Sequence, residues 1–345
     1  MPACAGMTVM ATVQYLGNDA FREESGAVAS IVWTRLEVAR DPQTIASKTE
    51  NRGLPSLARA LLVSLRPKQW TKNGLLFLAL VFARSLGDLH ALETSGLAFL
   101  DFCLLASVTY LVNDLVDLEQ DRQHPTKRKR PIASGQVPRN LASLTAVVLL
   151  ATALGLAAAL GTNFAFMALL YLALTFSYSF WLKHMVIVDV LALAAGFVLR
   201  AAAGAVAIAV PISPWLYVCT MLGALFLAIG KRRHELVLLD SSATSHRRIL
   251  QEYNLALLDQ MISVVTSATV IAYSLYSFSA ENLPRNGAMM LTVPFLLYGI
   301  FRYLYLIHVK GVGGAPEDLL LSDRHLVAAV FGWSVISILI LYFVR

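Results

Sequence analysis

Long apolar runs alternate with short polar, mostly basic stretches along this chain. A membrane-crossing helix needs about 20 mostly apolar residues. Nine stretches meet that pattern: roughly 73–87, 94–113, 140–160, 164–182, 187–209, 214–230, 259–279, 287–307 and 326–344. The first is short and is expected to extend back through Trp70. The connections at 161–163 and 210–213 are too short for domains, and Pro211 and Pro214 bracket a tight turn. The pattern predicts an all-α polytopic membrane protein, one nine-helix transmembrane bundle over residues 55–345.

Residues 1–54 break the pattern. No run in them is long enough to span, and Met1–Gly26 has neither the basic start nor the apolar stretch of a signal peptide. They are read as a poorly ordered extension to which no function is assigned, with a short helix around Val28–Val38. That reading is compatible with a true start further downstream.

Composition supports the membrane assignment. The chain is 57% hydrophobic and 14% charged, against about 25% charged in soluble domains. Its three cysteines, Cys4, Cys103 and Cys219, form no disulfide framework or zinc spacing. The net charge of +6 does not imply nucleic acid, because the cations fall between apolar runs and form no single patch. They point to anionic lipid and anionic substrate.

Loop charge sets an orientation. Nineteen Lys and Arg fall on one side of the alternating spans, and only Arg84, Arg285 and Arg345 on the other. The positive-inside rule puts the first set, the N-terminus included, in the cytoplasm, and nine spans then leave the C-terminus outside. The acids Asp114, Asp117, Asp121, Asp189, Glu235, Glu317, Asp318 and Asp323 share the cytoplasmic side, although acids contribute little to orientation. A charged cavity open to the cytoplasm accounts for them.

The strongest candidate chemistry is Asn113-Asp114-Leu115-Val116-Asp117-Leu118-Glu119-Gln120-Asp121, at the end of the second span. Offsets of 0, +3 and +7 put the three aspartates on one helical face. Carboxylates so close repel, and a divalent cation removes the repulsion. Mg²⁺ favours oxygen ligands and binds through one or two carboxylates plus substrate phosphates. The face reads as a Mg²⁺–diphosphate platform, with Asn113, Asp114, Asp117 and Asp121 as ligands. A solvated acidic helix end is the plainer alternative.

Lys127, Arg128 and Arg130 follow in a loop shaped by Pro125, Pro131 and Gly135. Such cations suit phosphate oxygens beside a metal. Tyr178, Lys183 and Asp189 mark a second site, and Arg200, eleven residues past Asp189, shares a face of the fifth span with it. The alternative there is a structural Arg–carboxylate pair. Lys72 precedes the first span, Lys231 and Arg232 follow the sixth, and Arg302 lies inside the eighth. For each basic cluster alone, positive-inside sorting is the competing explanation.

These residues resemble the UbiA-type intramembrane prenyltransferase superfamily, and within it the decaprenyl-phosphate phosphoribosyltransferase branch. The resemblance covers roughly residues 55–345. It rests on Arg66-Pro67-Lys68-Gln69-Trp70, Lys72-Asn73, Tyr110-Leu111-Val112-Asn113-Asp114, His124-Pro125, Lys127-Arg128, Arg130-Pro131-Ile132-Ala133, Lys183-His184, Asp189, Arg200, Gly230-Lys231-Arg232 and Pro316-Glu317-Asp318. The extension at 1–54 does not resemble the family.

For that branch the resemblance implies phosphoribosyl transfer from phosphoribosyl diphosphate to a polyprenyl phosphate, with Mg²⁺ as cofactor and lipid-linked arabinose donors downstream. It implies an integral cytoplasmic-membrane enzyme with the active site facing the cytoplasm, in contact with membrane lipids. A homo-oligomer is compatible with it. Asp114, Asp117 and Asp121 would be catalytic, and Lys183, Arg200 and Arg302 are candidate anchors for the lipid phosphate. A prenyltransferase with an aromatic acceptor is the alternative within the superfamily, but the stretch Lys183–Asp189 holds one aspartate where a second acid-rich motif is expected. A transporter or membrane scaffold is the alternative outside it.

Overall fold

The computed structural model describes residues 54–240, 248–280, 283–314 and 316–344. The chain divides into two units, Met1–Ala58 and Arg59–Arg345, and the long apolar helices all belong to the second. The expectations for residues 1–53, including the short helix near Val28, lie outside the described residues.

Helix α1 (Leu54–Ser64) ends where Pro67 bars Arg66 from the right-handed helical region. Arg66 takes a left-handed φ of 53°. A ten-residue 3-10 helix, Pro67–Leu76, follows and runs into α2 (Phe77–Phe82). The first span was expected over roughly 73–87 with an extension back through Trp70. The helical run occupies 67–82, so it also takes in Lys68 and Gln69 and stops before Arg84. Its 3-10 portion rises about 2.0 Å per residue, so sixteen residues reach about 29 Å, close to a bilayer core of about 30 Å.

Among the described residues, eight helices are long and apolar enough to cross a membrane. These are α3 (Leu89–Val116), α5 (Arg139–Leu160), α6 (Thr162–Phe180), α7 (Val188–Ala207), α8 (Pro214–Asp240), α9 (Leu255–Ser279), α10 (Val293–His308, preceded by a 3-10 turn at Ala288–Thr292) and α12 (Arg324–Phe343). Short helices α4 (Leu118–Gln123) and α11 (Pro316–Ser322) lie between them. Side chains cap the starts: Asp88 accepts from His90 and Ala91, Asn254 from Leu257, and Asp323 from His325 and Leu326. Each cap satisfies donors that a helix start leaves open.

Small residues set the closest packing, as expected where lipid removes the hydrophobic drive between helices. α5 turns Ala142, Ala146, Ala153 and Ala157 inward, and α3 is its main neighbour. A Cβ on Gly204 of α7 would lie 2.1 Å from the Leu76 carbonyl oxygen, so glycine there lets α7 touch the 3-10 backbone. Side chains three apart eclipse in a 3-10 helix. The row Trp70, Asn73, Leu76 faces α3 and α7: Trp70 Nε1 donates to Ser107 Oγ at 3.1 Å, Asn73 Nδ2 to Cys103 Sγ at 3.3 Å, and Leu76 is fully buried. The other two rows, Thr71–Gly74 and Lys72–Leu75, line a cavity.

Candidate active site

The acidic stretch does not form one helix. α3 stops at Val116, Asp117 takes φ −86° and ψ 9°, and α4 restarts at Leu118. The phase survives the break, because Asp117 N–H donates to Asn113 O at 2.9 Å and Asp121 N–H to Asp117 O at 2.8 Å. Asp114 and Asp121, both nearly fully buried, therefore still converge. Arg130 Nη1 donates to Asp114 Oδ1 at 3.0 Å and to Asp121 Oδ2 at 2.6 Å. Arg66 Nη2 donates to the same Asp114 oxygen at 2.6 Å, with its guanidinium 4.6 Å from the Tyr110 ring centroid. Lys127 Nζ lies 3.9 Å from Asp121 Oδ1. Asp117 and Asn113 are half-buried beside this pair, and Arg128 is exposed on the following turn.

The donor set fits a magnesium ion that is shared with substrate. Among the described residues no three acidic, His or Cys side chains form a ready-made metal group. Two carboxylates that already meet on one guanidinium nitrogen are what Mg²⁺ uses when substrate phosphates complete its shell, and Asn113 and Asp117 adjoin them along the chain.

The second site differs from the expected one. Asp189 and Arg200 lie on α7 about three turns apart, roughly 16 Å along its axis, and have separate partners. Arg200 donates to Asn73 Oδ1 (2.8 Å), Gly196 O (2.7 Å) and the Tyr171 hydroxyl (2.7 Å), and lies over the Tyr171 and Phe197 rings. It ties the 3-10 helix to α6 and α7. Asp189, fully buried, instead takes Arg232 Nε at 2.6 Å. Arg232 also donates to Glu235 (2.6 Å) and to Tyr178 (3.0 Å), and the Tyr253 hydroxyl donates to the other Asp189 oxygen at 2.7 Å. Lys183, on the 3-10 turn Leu182–His184, is half-buried and has no ion pair among the described residues.

The 67–82 run, α7, α8, α9 and α12 surround a cavity of about 1280 Å³. Lys72 and Lys231 line it near the basic end of their antiparallel helices. Trp215, Tyr273, Tyr276 and Trp333 line the other end. Lys231 and Trp215 are sixteen residues apart on α8, so the cavity is about 24 Å deep along that helix. At the aromatic end Trp333 Nε1 donates to the Tyr273 hydroxyl, which bonds Thr292, both at 2.6 Å. Arg302 does not line this cavity. It makes a two-point pair with Asp323, at 2.8 and 3.2 Å, that joins α10 to the start of α12. The hydrogen bonds that Asp323 accepts from Arg302 push its carboxyl down to about 2.

The structure thus gathers Asp114, Asp121, Lys127 and Arg130 at one cluster, with Asn113 and Asp117 adjoining. It gathers Tyr178, Asp189 and Arg232 at a second, and Lys72 and Lys231 on the cavity. Tyr253 was not singled out from the sequence, and Arg66 and Glu235 were noted there without being assigned to the site. Arg66 stands in a legible basic motif, but a lone tyrosine in a loop gives no local signal.

A bundle of apolar helices with two clusters of buried charge and a large apolar cavity lined by two lysines defines an intramembrane enzyme. The sequence profile of the UbiA prenyltransferase family matches residues 74–311, and the chain belongs to that family. The decaprenyl-phosphate phosphoribosyltransferase of Mycobacterium tuberculosis is 36% identical over 282 residues, covering 81% of this chain and 93% of the relative. That of Corynebacterium glutamicum is 34% identical over 318 residues, covering 90% and 95%. In fold the chain is similar to a UbiA homolog from Archaeoglobus fulgidus bound to DMAPP and Mg²⁺, with a TM-score of 0.62, 19% identity and coverage of 82% and 99%. The protein is an integral membrane protein.

Proposed function

We propose that this enzyme transfers the 5-phosphoribosyl group of phosphoribosyl diphosphate to a polyprenyl phosphate, with release of diphosphate. One observation carries the reading. Two lysines head an apolar cavity of lipid dimensions, and each sits on the segment that reaches one charged cluster: Lys72 with Arg66 on one side, Lys231 with Arg232 on the other. An acceptor with an anionic head and a long apolar tail matches that arrangement.

In the reaction the bond between ribose C1 and the diphosphate oxygen breaks, and a bond forms between C1 and an oxygen of the lipid phosphate. Diphosphate leaves with the electron pair. The acceptor is already an anion at neutral pH, so the site needs position more than a base. Asp114, Asp117 and Asp121, with Asn113 beside them, would hold a magnesium ion, whose part is to neutralise charge growing on the leaving diphosphate. Arg66, Lys127 and Arg130 lie around Asp114 and Asp121, and with the exposed Arg128 they are the partners for phosphate oxygens. Lys183 and the Tyr178–Asp189–Arg232 cluster hold the phosphorylated sugar from the opposite side. Lys72 and Lys231 hold the acceptor phosphate, and the tail runs toward Trp215.

The same reading takes the run 67–82 as a ninth span, which places the N-terminus and both clusters at the cytoplasmic face of the inner membrane, where a soluble donor reaches them. Purified protein with Mg²⁺, labelled phosphoribosyl diphosphate and decaprenyl phosphate is expected to put label into the lipid fraction. Consumption of an allylic diphosphate in its place, with no labelled lipid, would falsify the proposal and favour transfer to an aromatic acceptor.

A further inference from the structure

Between the 3-10 turn Leu182–His184 and α7, the chain reverses at Ile187. Its φ is 66° and its ψ −43°. Val188 N–H donates to Val186 O at 2.8 Å across it. Three residues closed by this bond around a positive φ make a γ-turn of the rare, strained form. Glycine accepts such a φ freely, whereas a β-branched residue there is an outlier. Strain of this kind persists only where the surroundings hold it, and it gathers at functional sites.

Backbone bonds from Asp189 N–H to Met185 O (3.0 Å) and from Leu191 N–H to Ile187 O (3.1 Å) flank the turn, and one side chain, a hydroxyl, reaches its centre. Ile187 N–H donates to the Tyr253 phenol oxygen at 2.7 Å, and that phenol donates to Asp189 Oδ1 at 2.7 Å. The other Asp189 oxygen takes Arg232. Tyr253 is 4% exposed. It stands between α8 and α9, just after the 3-10 turn Arg248–Glu252, which packs against Leu182–His184. Burial and the Asp189 hydrogen bond push the phenol up to about 12, so it stays a donor across the physiological range.

We propose that Tyr253 is a positioning residue: by pinning the strained turn at Ile187 to the buried Asp189–Arg232 pair, it holds Lys183 where the phosphorylated donor binds. This rests on the function proposed above, in which that cluster receives the donor. Lys183 carries a half-buried charge with no ion pair among the described residues, and the turn fixes the segment that bears it.

The test is Tyr253→Phe, which keeps the ring and removes both hydrogen bonds. Hydrogen exchange over 182–189 is expected to quicken. KM for phosphoribosyl diphosphate is expected to rise about tenfold, as for a lost hydrogen bond to a charged group, while KM for decaprenyl phosphate stays unchanged. Adding Ile187→Gly, which takes the turn without restraint, is expected to recover most of the donor KM. An unchanged donor KM, an equal rise in both KM values, or a double variant no better than Tyr253→Phe overturns the proposal. If the wild type uses another diphosphate donor, the function above fails. The same measurements, made on that donor, still decide the role of Tyr253.

Discussion

Asp114 and Asp121 meet on a single nitrogen of Arg130. They stand seven positions apart with a helix break between them, yet their carboxylates share one proton donor. Two buried anions held this way need positive charge. When a diphosphate arrives, a divalent ion is a better bridge than a guanidinium, because it also binds the phosphates. Asp114→Asn is therefore expected to lower kcat/KM by about 10²–10³-fold, the scale of losing one charge-stabilising group. Size-exclusion profile and circular dichroism should stay unchanged. Chelation should abolish turnover and added Mg²⁺ restore it, measured as label transferred to lipid.

The cavity predicts a chain-length effect. Gly223 lines it, and a Cβ there would meet nothing within 4 Å. It lies eight residues from Lys231, about 12 Å down α8. Three chain bonds span about 3.5 Å, so a four-bond isoprene unit covers about 4.7 Å, and Gly223 lies about two and a half units below the head. Gly223→Trp should raise KM for decaprenyl phosphate more than tenfold and leave a two-unit acceptor, geranyl phosphate, within about twofold. Equal effects on both acceptors would rule out this path for the tail.

Arg302 tests the division between binding and architecture. Because it clamps Asp323 instead of lining the cavity, Arg302→Ala should lower the thermal midpoint and leave KM for the lipid within about twofold. The pair also predicts a pH dependence. The Asp323 carboxyl is lowered from 3.8 to about 2, so its stabilisation is complete above pH 3.8 and is lost as pH falls through about 2. Asn still caps a helix but lacks the charge. The gap in thermal midpoint between wild type and Asp323→Asn should be constant near neutrality and narrow below pH 4.

At Gly204 a single methyl meets backbone. The Leu76 carbonyl has no rotamer through which to yield, so Gly204→Ala should cost about 1–3 kcal/mol, as overpacking does, read by thermal unfolding in detergent. It should also reduce turnover, since the displaced 3-10 helix carries Lys72.

The apolar runs made eight of the helices legible, because burial in lipid demands uninterrupted hydrophobicity. The start of the 67–82 run was less legible for the same reason: Lys68, Gln69, Lys72 and Asn73 interrupt the apolar pattern, whereas in the fold Lys72 lines the cavity and Asn73 meets Arg200. The convergence of Asp114 and Asp121 was legible from their spacing. The break at Asp117 was not, since nothing in Leu-Val-Asp-Leu-Glu dictates it. Long-range polar pairs were the least legible. Arg200 meets Asn73 from 127 positions away and Asp189 meets Tyr253 from 64, and no local periodicity encodes either.

The 3-10 helix leaves one constraint on how this enzyme and its relatives can change. Its three side-chain rows do not drift around the axis, since each residue advances about one third of a turn. Inserting or deleting a single residue within Pro67–Leu76 would bring the Trp70–Asn73–Leu76 row onto the cavity and turn a cavity row into the bundle. Steps of three would preserve every facing. Length variation in this segment is therefore confined to multiples of three, while its point substitutions remain free wherever the row tolerates them.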